Sequence, residues 1–78
     1  MKTIQISLNS IDKVKSFVND ITKFDYDFDL VSGRYVIDAK SIMGILSCDY
    51  RRPLTLDIHA EDDEKAEVLS RLGKFLLA

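Results

Sequence analysis

The sequence predicts an α+β fold in which a four-stranded, mainly antiparallel sheet carries three helices, one of them short, on one face. The chain has 78 residues, enough for one hydrophobic core, and this predicts a single domain over residues 1–78. Four stretches alternate apolar and polar residues, as half-buried strands do. Because the helical stretches are few, the economical packing covers one face of the sheet and leaves the other in water.

The first strand and the first helix are predicted at the start of the chain. Residues 3–8 alternate, with Ile4, Ile6 and Leu8 on one side, which is the period of a strand. Ser10 is the predicted N-cap of a helix, with Asp12 in its first turn. This helix should run from about residue 11 to residue 23. Its apolar face, spaced by three and four residues, contains Ile11, Val14, Val18, Ile21 and Phe24.

A β-hairpin is predicted in the middle of the chain. Residues 25–31 alternate strictly, with Tyr26, Phe28 and Leu30 on one side. Ser32 and Gly33 then offer a turn before a second strand over residues 34–39. The other side of the first hairpin strand should face water, and it carries Asp25, Asp27 and Asp29.

A fourth strand and a last helix complete the predicted fold. Pro53 can open the strand because the N–H that proline lacks matters least at that position. Over residues 54–60, Leu56 and Ile58 share one face, and Asp57 and His59 share the other with Thr55. The acids at residues 61–64 favour a helix N-terminus. The apolar stripe predicted for this helix is Ala66, Leu69, Leu72 and Leu76.

Composition and charge narrow the class of protein. Apolar residues make up 46% of the chain and charged residues 31%, a globular balance, and a net charge of -2 gives no reason to expect a nucleic-acid partner. Cys48 is the single cysteine, which excludes an internal disulfide and fits a reducing compartment. No apolar run reaches the ~20 residues that span a bilayer, and the first residues lack the apolar segment of a signal peptide. We therefore expect a cytoplasmic protein without a membrane partner.

The stretch DAKSIMGILS, residues 38–47, raises the main question about function. A short helix is predicted here, with Ser41 as its N-cap. In so small a domain, at least half of the apolar cluster that follows should belong to the core. We predict that Ile45 is buried and that Met43 and Ile42 form the exposed pair. An exposed methionine adapts to a partner and suits a binding surface.

The order of elements together with AKSIMGILS resembles the HPr family, the small phosphocarriers of the bacterial sugar phosphotransferase system, which includes the non-carrier relative Crh. The resemblance covers nearly the whole chain in element order and length. Its most specific part is KSIMG, residues 40–44. It implies an open-faced β-sandwich, and we expect neither an enzymatic activity nor a cofactor.

The resemblance also implies where a phosphoryl acceptor would lie. In the family, the acceptor is a histidine at the N-terminus of the first helix, within a segment resembling His-x-Arg-Pro. The corresponding segment here is LNSIDKVKS, so that Ser10 or Asp12 takes the histidine's place, depending on where a one-residue gap is put. Neutral imidazole is a good nucleophile near neutral pH, and a serine hydroxyl lacks that basicity. The only histidine, His59, lies in the fourth strand and is a poor substitute.

A second site that the resemblance implies is the serine of KSIMG. In Gram-positive members this serine is phosphorylated by a bifunctional HPr kinase/phosphorylase, and Ser41 matches it. A phosphate there would lie at the start of the short helix and add about -1.5 to -2 charge. The plain alternative is a helix N-cap with no further role. In the family, residues around this serine pack onto the kinase or onto the transcription factor CcpA, and the matching positions here are Lys40, Ile42, Met43 and Leu46.

Three functions remain open on the sequence. The first is a regulatory domain of catabolite repression that presents the Ser41 surface to a serine kinase or a transcriptional regulator. The second is a phosphocarrier that works with the phosphotransferase enzymes through a non-standard acceptor, although the segment LNSIDKVKS argues against it. The third is a structural module with this fold and no link to sugar transport.

The acidic strand residues suggest a cation site at first sight. Alternate residues of one strand lie about 6.5 Å apart, and no further oxygen ligand is indicated beside Asp25, Asp27 and Asp29. His59 has only the neighbouring Asp57 on the same face to orient it, so it is interpreted as an exposed sheet residue. We therefore assign no metal and no catalytic residue.

Overall fold

The computed structural model describes residues 4–77, and the predicted elements occur in the predicted order. No helix within this range is long and apolar enough to cross a membrane. The elements are β1 (Ile4–Ile6), α1 (Ile11–Ile21), β2 (Asp27–Ser32), β3 (Tyr35–Asp38), α2 (Ile42–Ser47), β4 (Leu54–His59) and α3 (Asp62–Arg71), followed by a 3₁₀ turn at Gly73–Phe75.

The strands form one antiparallel sheet in the order β1-β4-β2-β3, which confirms the predicted α+β class. The hairpin of β2 and β3 turns at Gly33, whose φ of 61° lies in the region that favours glycine. The two central strands β2 and β4 are far apart in sequence. Their register places Asp29 opposite Asp57 and Asp27 opposite His59.

The core lies between the sheet and the helices. Phe28, Leu30, Leu56 and Ile58 are buried, as the alternation predicts. On the opposite face, Asp27, Asp57 and His59 are exposed, whereas Asp29 is half-buried. The other buried core residues are Ile6, Leu8, Val14, Phe17, Ile21, Ala39, Ile45, Leu54, Val68, Leu72 and Phe75.

The buried face of α1 is centred differently from the prediction. Val14, Phe17 and Ile21 are fully buried, whereas the predicted Ile11 is 49% exposed and Val18 is only half-buried. The predicted spacing of residues 11, 14, 18 and 21 is that of a helix face and includes two of the buried residues, Val14 and Ile21. Phe17 is not one of these positions, so the prediction left it out. The ring of Phe17 meets that of Phe75 edge-on, with centroids 5.5 Å apart.

The predicted stripe of α3 is also wrong in part. Ala66 is exposed, Leu69 is half-buried, and Val68 with Leu72 makes the contact with the core. The prediction took the helix on to Leu76, but α3 ends at Arg71, and the chain turns away in the 3₁₀ turn. Because the predicted stripe included Leu76, which lies beyond the end of α3, its positions within the helix did not match the buried face.

One edge strand of the sheet, β1, is covered by the end of the chain, and the other, β3, is left open by the residues that the structure describes. The chain after the 3₁₀ turn runs beside β1, where the Ser7 amide donates to the Phe75 carbonyl at 2.9 Å and the Leu77 amide donates to Gln5 at 2.9 Å. The edge at β3 has no such cover from residues 4–77, and its Tyr35 and Val36 are 73% and 66% exposed.

Candidate interaction site at the second helix

Ser41 begins α2 as the predicted N-cap. Its backbone is extended, and its Oγ accepts a hydrogen bond from the Gly44 amide at 3.2 Å. The turn before it is held by Asp38, whose carbonyl accepts from the Ser41 amide at 2.9 Å. The Asp38 carboxylate also accepts from the Lys40 amide at 3.0 Å. These bonds fix the Ser41 hydroxyl at the half-exposed start of the helix.

Gly44 lets α2 approach β3 closely. A Cβ at this position would lie 2.8 Å from Cγ2 of Ile37 and 3.2 Å from Oγ of Ser41. The first distance is shorter than real Cβ contacts allow. A side chain at position 44 would therefore crowd both the strand and the serine hydroxyl.

The apolar residues of α2 divide between core and surface. Ile45 is buried and Met43 is 71% exposed, and both predictions are confirmed. Ile42 was expected to be exposed, and this is wrong, because it is half-buried against the core cluster, as is Leu46. Successive residues of a helix point about 100° apart, so Ile42 can face the core while Met43 faces water.

Lys40 makes contacts inside the protein. Its Nζ donates to the Phe24 carbonyl at 2.8 Å and lies 5.6 Å from the centroid of the Phe28 ring. The side chain thus joins the turn before α2 to the segment after α1. A role of Lys40 in partner binding stays a prediction, and a partner would have to share or displace these contacts.

A groove between β3 and α2 adds residues that the sequence analysis missed. Val36 and Ile37 line one side of it, and Gly44, Ser47 and Cys48 line the other. Alternation alone did not single out β3, because its residues read as an ordinary hairpin strand. The exposure of its apolar side chains follows from the position of β3 at the sheet edge.

The segment where the resemblance puts an acceptor is a helix N-terminus with no imidazole. Ser10 caps α1, as predicted, and its Oγ accepts from the Lys13 amide at 3.2 Å. Asp12 is exposed in the first turn. The single histidine of the chain, His59, is the last residue of β4.

On the water-facing side of the sheet, His59 meets two carboxylates. Its Nε2 lies 2.8 Å from Oδ2 of Asp29 and 3.6 Å from Oδ2 of Asp57. The hydrogen bond to Asp29 raises the pKa of His59, and the Asp57 charge adds to this effect, while partial desolvation opposes it. Only Asp57 was considered from sequence. Asp29 comes from β2, and finding it would have required the register of β2 on β4.

Comparisons with solved structures and with protein-family profiles point to the same family. The crystal structure of HPr-C-His from Thermoanaerobacter tengcongensis superposes with a TM-score of 0.74 at 25% identity, covering 95% of this chain and 89% of that chain. A phosphocarrier protein HPr from Bacillus anthracis str. Ames has a TM-score of 0.71 at 27% identity, covering 97% of this chain and 94% of that one. The family profile described as PTS HPr component phosphorylation site matches residues 13–77. This chain therefore belongs to the HPr family, the phosphocarrier family of the phosphotransferase system, which is not a family of enzymes.

Proposed function

We propose that this protein is a regulatory member of the HPr family. It does not relay phosphoryl groups through α1. Instead, it presents Ser41, with the exposed Met43 and the accessible part of Ile42, to a serine kinase or a transcriptional regulator. The observation that carries the proposal is the exposed Met43, two residues after the helix cap Ser41.

The chemistry at the start of α1 supports the loss of the carrier role. A carrier needs a group that takes up a phosphoryl readily and gives it away again, and a neutral imidazole does this near neutral pH. Ser10 offers a hydroxyl, which lacks the basicity of imidazole, and Asp12 offers an exposed carboxylate.

The geometry at α2 supports Ser41 as the modified residue. Ser41 is half-buried, and position 44 carries no side chain that would crowd its hydroxyl. A phosphate would add about -1.5 to -2 charge at one point of the surface. The Asp38 turn and the Gly44 amide hold the serine from both sides, so the modification needs little refolding of the backbone.

The exposed apolar side chains explain how a partner would detect this change. Met43 projects into water next to the serine, and Ile42 and Leu46 are each partly accessible. A partner that packs on this surface would bring its own charged groups close to Ser41. Phosphorylation would then strengthen or weaken binding according to the sign of those groups.

The test is incubation with ATP and the cognate HPr serine kinase, followed by intact mass measurement. We expect one added phosphate on the wild type and none on Ser41→Ala. Ser47→Ala is the matched control, because Ser47 is an exposed serine of the same helix, and this variant should be phosphorylated like the wild type. No added phosphate on the wild type, or an equal gain on Ser41→Ala, would reject Ser41 as the site.

A further inference from the structure

We propose that Asp29, Asp57 and His59 form a binding site for a divalent transition-metal ion such as Zn²⁺ on the water-facing side of the sheet. One potential ligand atom from each residue lies within 4.8 Å of the other two. The inference is independent of the function proposed for Ser41, which involves the second helix and not the central strands.

The distances in this cluster fit ligands of a small cation. Nitrogen and oxygen ligands bind zinc at 2.0–2.2 Å in a tetrahedral arrangement, which places two ligand atoms about 3.3–3.6 Å apart. His59 Nε2 is 2.8 Å from one carboxylate oxygen and 3.6 Å from the other. Rotation of these side chains would open the shorter distance and bring the two carboxylate oxygens, which lie within 4.8 Å of each other, to the same spacing.

The framework of the site is the most constrained part of the sheet. Asp29 and Asp57 are direct partners in the register of β2 and β4, and His59 is two residues further along β4 on the same face. Both are central strands with buried apolar neighbours, Phe28 and Ile58 among them. Ligands on such strands are positioned more reproducibly than ligands on loops.

The donor set selects the class of ion. Two carboxylates and an imidazole suit zinc and similar metals, whereas magnesium and calcium prefer oxygen ligands alone. Three protein ligands leave a fourth position for water. When the ion binds, the metal replaces the proton on Nε2 of His59: a protonated ring releases that proton to the solvent, and a neutral ring keeps its one proton on Nδ1.

The histidine separates this site from a merely acidic surface. If cations were only attracted to the negative charge of the face, replacing His59 would leave binding intact or improve it, since both carboxylates would remain. If Nε2 is a ligand, the same replacement should weaken binding strongly. Loss of a partner that only orients a ligand typically costs about 10–100-fold in metal affinity, and loss of a ligand should cost at least as much.

The experiment is a titration of the chelator-treated protein with zinc chloride at about pH 7.5, because a proton competes with the metal for Nε2 and this competition weakens as the pH rises. Calorimetry gives the affinity, and the nitrogen resonances of the His59 ring report whether Nε2 is bound. The variants are His59→Gln, Asp29→Asn and Asp57→Asn. The matched control is Asp25→Asn, which removes one exposed acid that lies outside the cluster.

We expect saturable binding by the wild type at one ion per chain, with a shift of the Nε2 resonance. Each of the three variants should lose at least about tenfold in affinity, and Asp25→Asn should stay within about twofold of the wild type. Absence of binding up to about 1 mM zinc would overturn the proposal. Undiminished binding by His59→Gln, by Asp29→Asn or by Asp57→Asn would overturn it too, as would an equal loss in the control.

Discussion

At the start of α2, near Ser41, the structure leaves no room for a side chain at Gly44. In Gly44→Ala, the new methyl group would lie 2.8 Å from Cγ2 of Ile37. That carbon branches at the Cβ of isoleucine, so it cannot swing away without leaving its rotamer. Overpacking costs about 1–3 kcal/mol, and alanine regains about 0.8–1 kcal/mol through helix propensity. We expect a net loss of about 1 kcal/mol in the free energy of unfolding, measured with urea.

Two further variants control for this prediction. Gly73→Ala introduces a methyl group with nothing within 4 Å of it, so its stability should stay within about 0.5 kcal/mol of the wild type. The double variant Gly44→Ala with Ile37→Ala removes the clashing carbon, and it should be no less stable than Ile37→Ala alone. A Gly44→Ala protein as stable as the wild type would show that α2 does not need glycine there.

The apolar residues of α2 give a graded prediction. Ile45→Ala should cost about 2–5 kcal/mol because the side chain is fully buried. Met43→Ala should change stability by less than about 1 kcal/mol, since most of its surface is already in water. Ile42→Ala should fall between them, at about 1–2 kcal/mol, because its side chain is half-buried. Thermal and urea unfolding of the three variants give the order, and three equally large losses would leave α2 without a surface residue for a partner.

Some side-chain contacts could be predicted from the sequence and others could not. The caps Ser10 and Ser41 were predictable, because a capping hydroxyl bonds to an amide three residues away, within the range of local patterns. The contact of His59 with Asp29 was not, because it joins residues on different strands. The contact of Lys40 with Phe24 was missed because the two residues are brought together by the hairpin that separates them in the sequence.

At the scale of secondary structure elements, Tyr26 ties the start of the hairpin to α3. Its hydroxyl donates to Oε2 of Glu64 at 3.0 Å, and Oε1 of Glu64 accepts from the Glu61 amide at 2.9 Å. Glu64 therefore completes a capping box at the start of α3 and also holds the ring of Tyr26. The hydrogen bond to Glu64 raises the pKa of Tyr26 above 10.0, with partial burial and the nearby acidic charges adding to it.

We predict that this contact makes stability depend on pH in the alkaline range. Because the folded state holds the phenol proton more tightly, the contribution is fully present below pH 10 and is lost as the pH rises through the raised pKa of the folded state. A titration of the Tyr26 ring resonances should give a pKa above 10.0, and Glu64→Gln should lower it. An unchanged pKa in Glu64→Gln would show that the hydrogen bond is not formed in solution.

The sequence predicted the order of strands and helices correctly, but it predicted the buried faces of the helices only in part. The strands alternate with a period of two, so one alternation assigns both faces of β2 and β4 without ambiguity. A helix offers several overlapping stripes, and the choice in α1 fell on Val18 where Phe17 is the buried residue. In α3 the stripe was extended beyond the end of the helix, and this displaced the predicted face from Val68 to Ala66.

At the scale of the whole molecule, the sheet separates two surfaces with different chemistry. The helices cover one face, where α2 with Met43 forms the candidate interaction surface, and the opposite face carries the acidic residues around His59. The fold class could be predicted because strand periods and helix caps are local signals. The two surfaces could be predicted only in part, because the partners of Asp29 and the edge position of β3 depend on strand order.

Because the chain belongs to the HPr family, the main question about its function is whether it can carry a phosphoryl group without a histidine at the start of α1. The chain has the fold of a phosphocarrier, and its single histidine lies at the end of β4, where Asp29 and Asp57 surround it. An ionised carboxylate only accepts hydrogen bonds, so Asp29 keeps the proton of the neutral ring on Nε2. His59 is also the last residue of a strand and does not lie at the N-terminus of α1.

The most direct measurement is therefore phosphoryl transfer from phosphoenolpyruvate and enzyme I, followed by intact mass under alkaline and acidic conditions. A histidine-bearing HPr serves as the positive control, and His59→Gln identifies any transfer to the only imidazole. We predict that the control gains an acid-labile phosphate while this protein gains none in the same time. An acid-labile phosphate on this chain, formed at a rate comparable to the control, would contradict the regulatory account and show a working carrier.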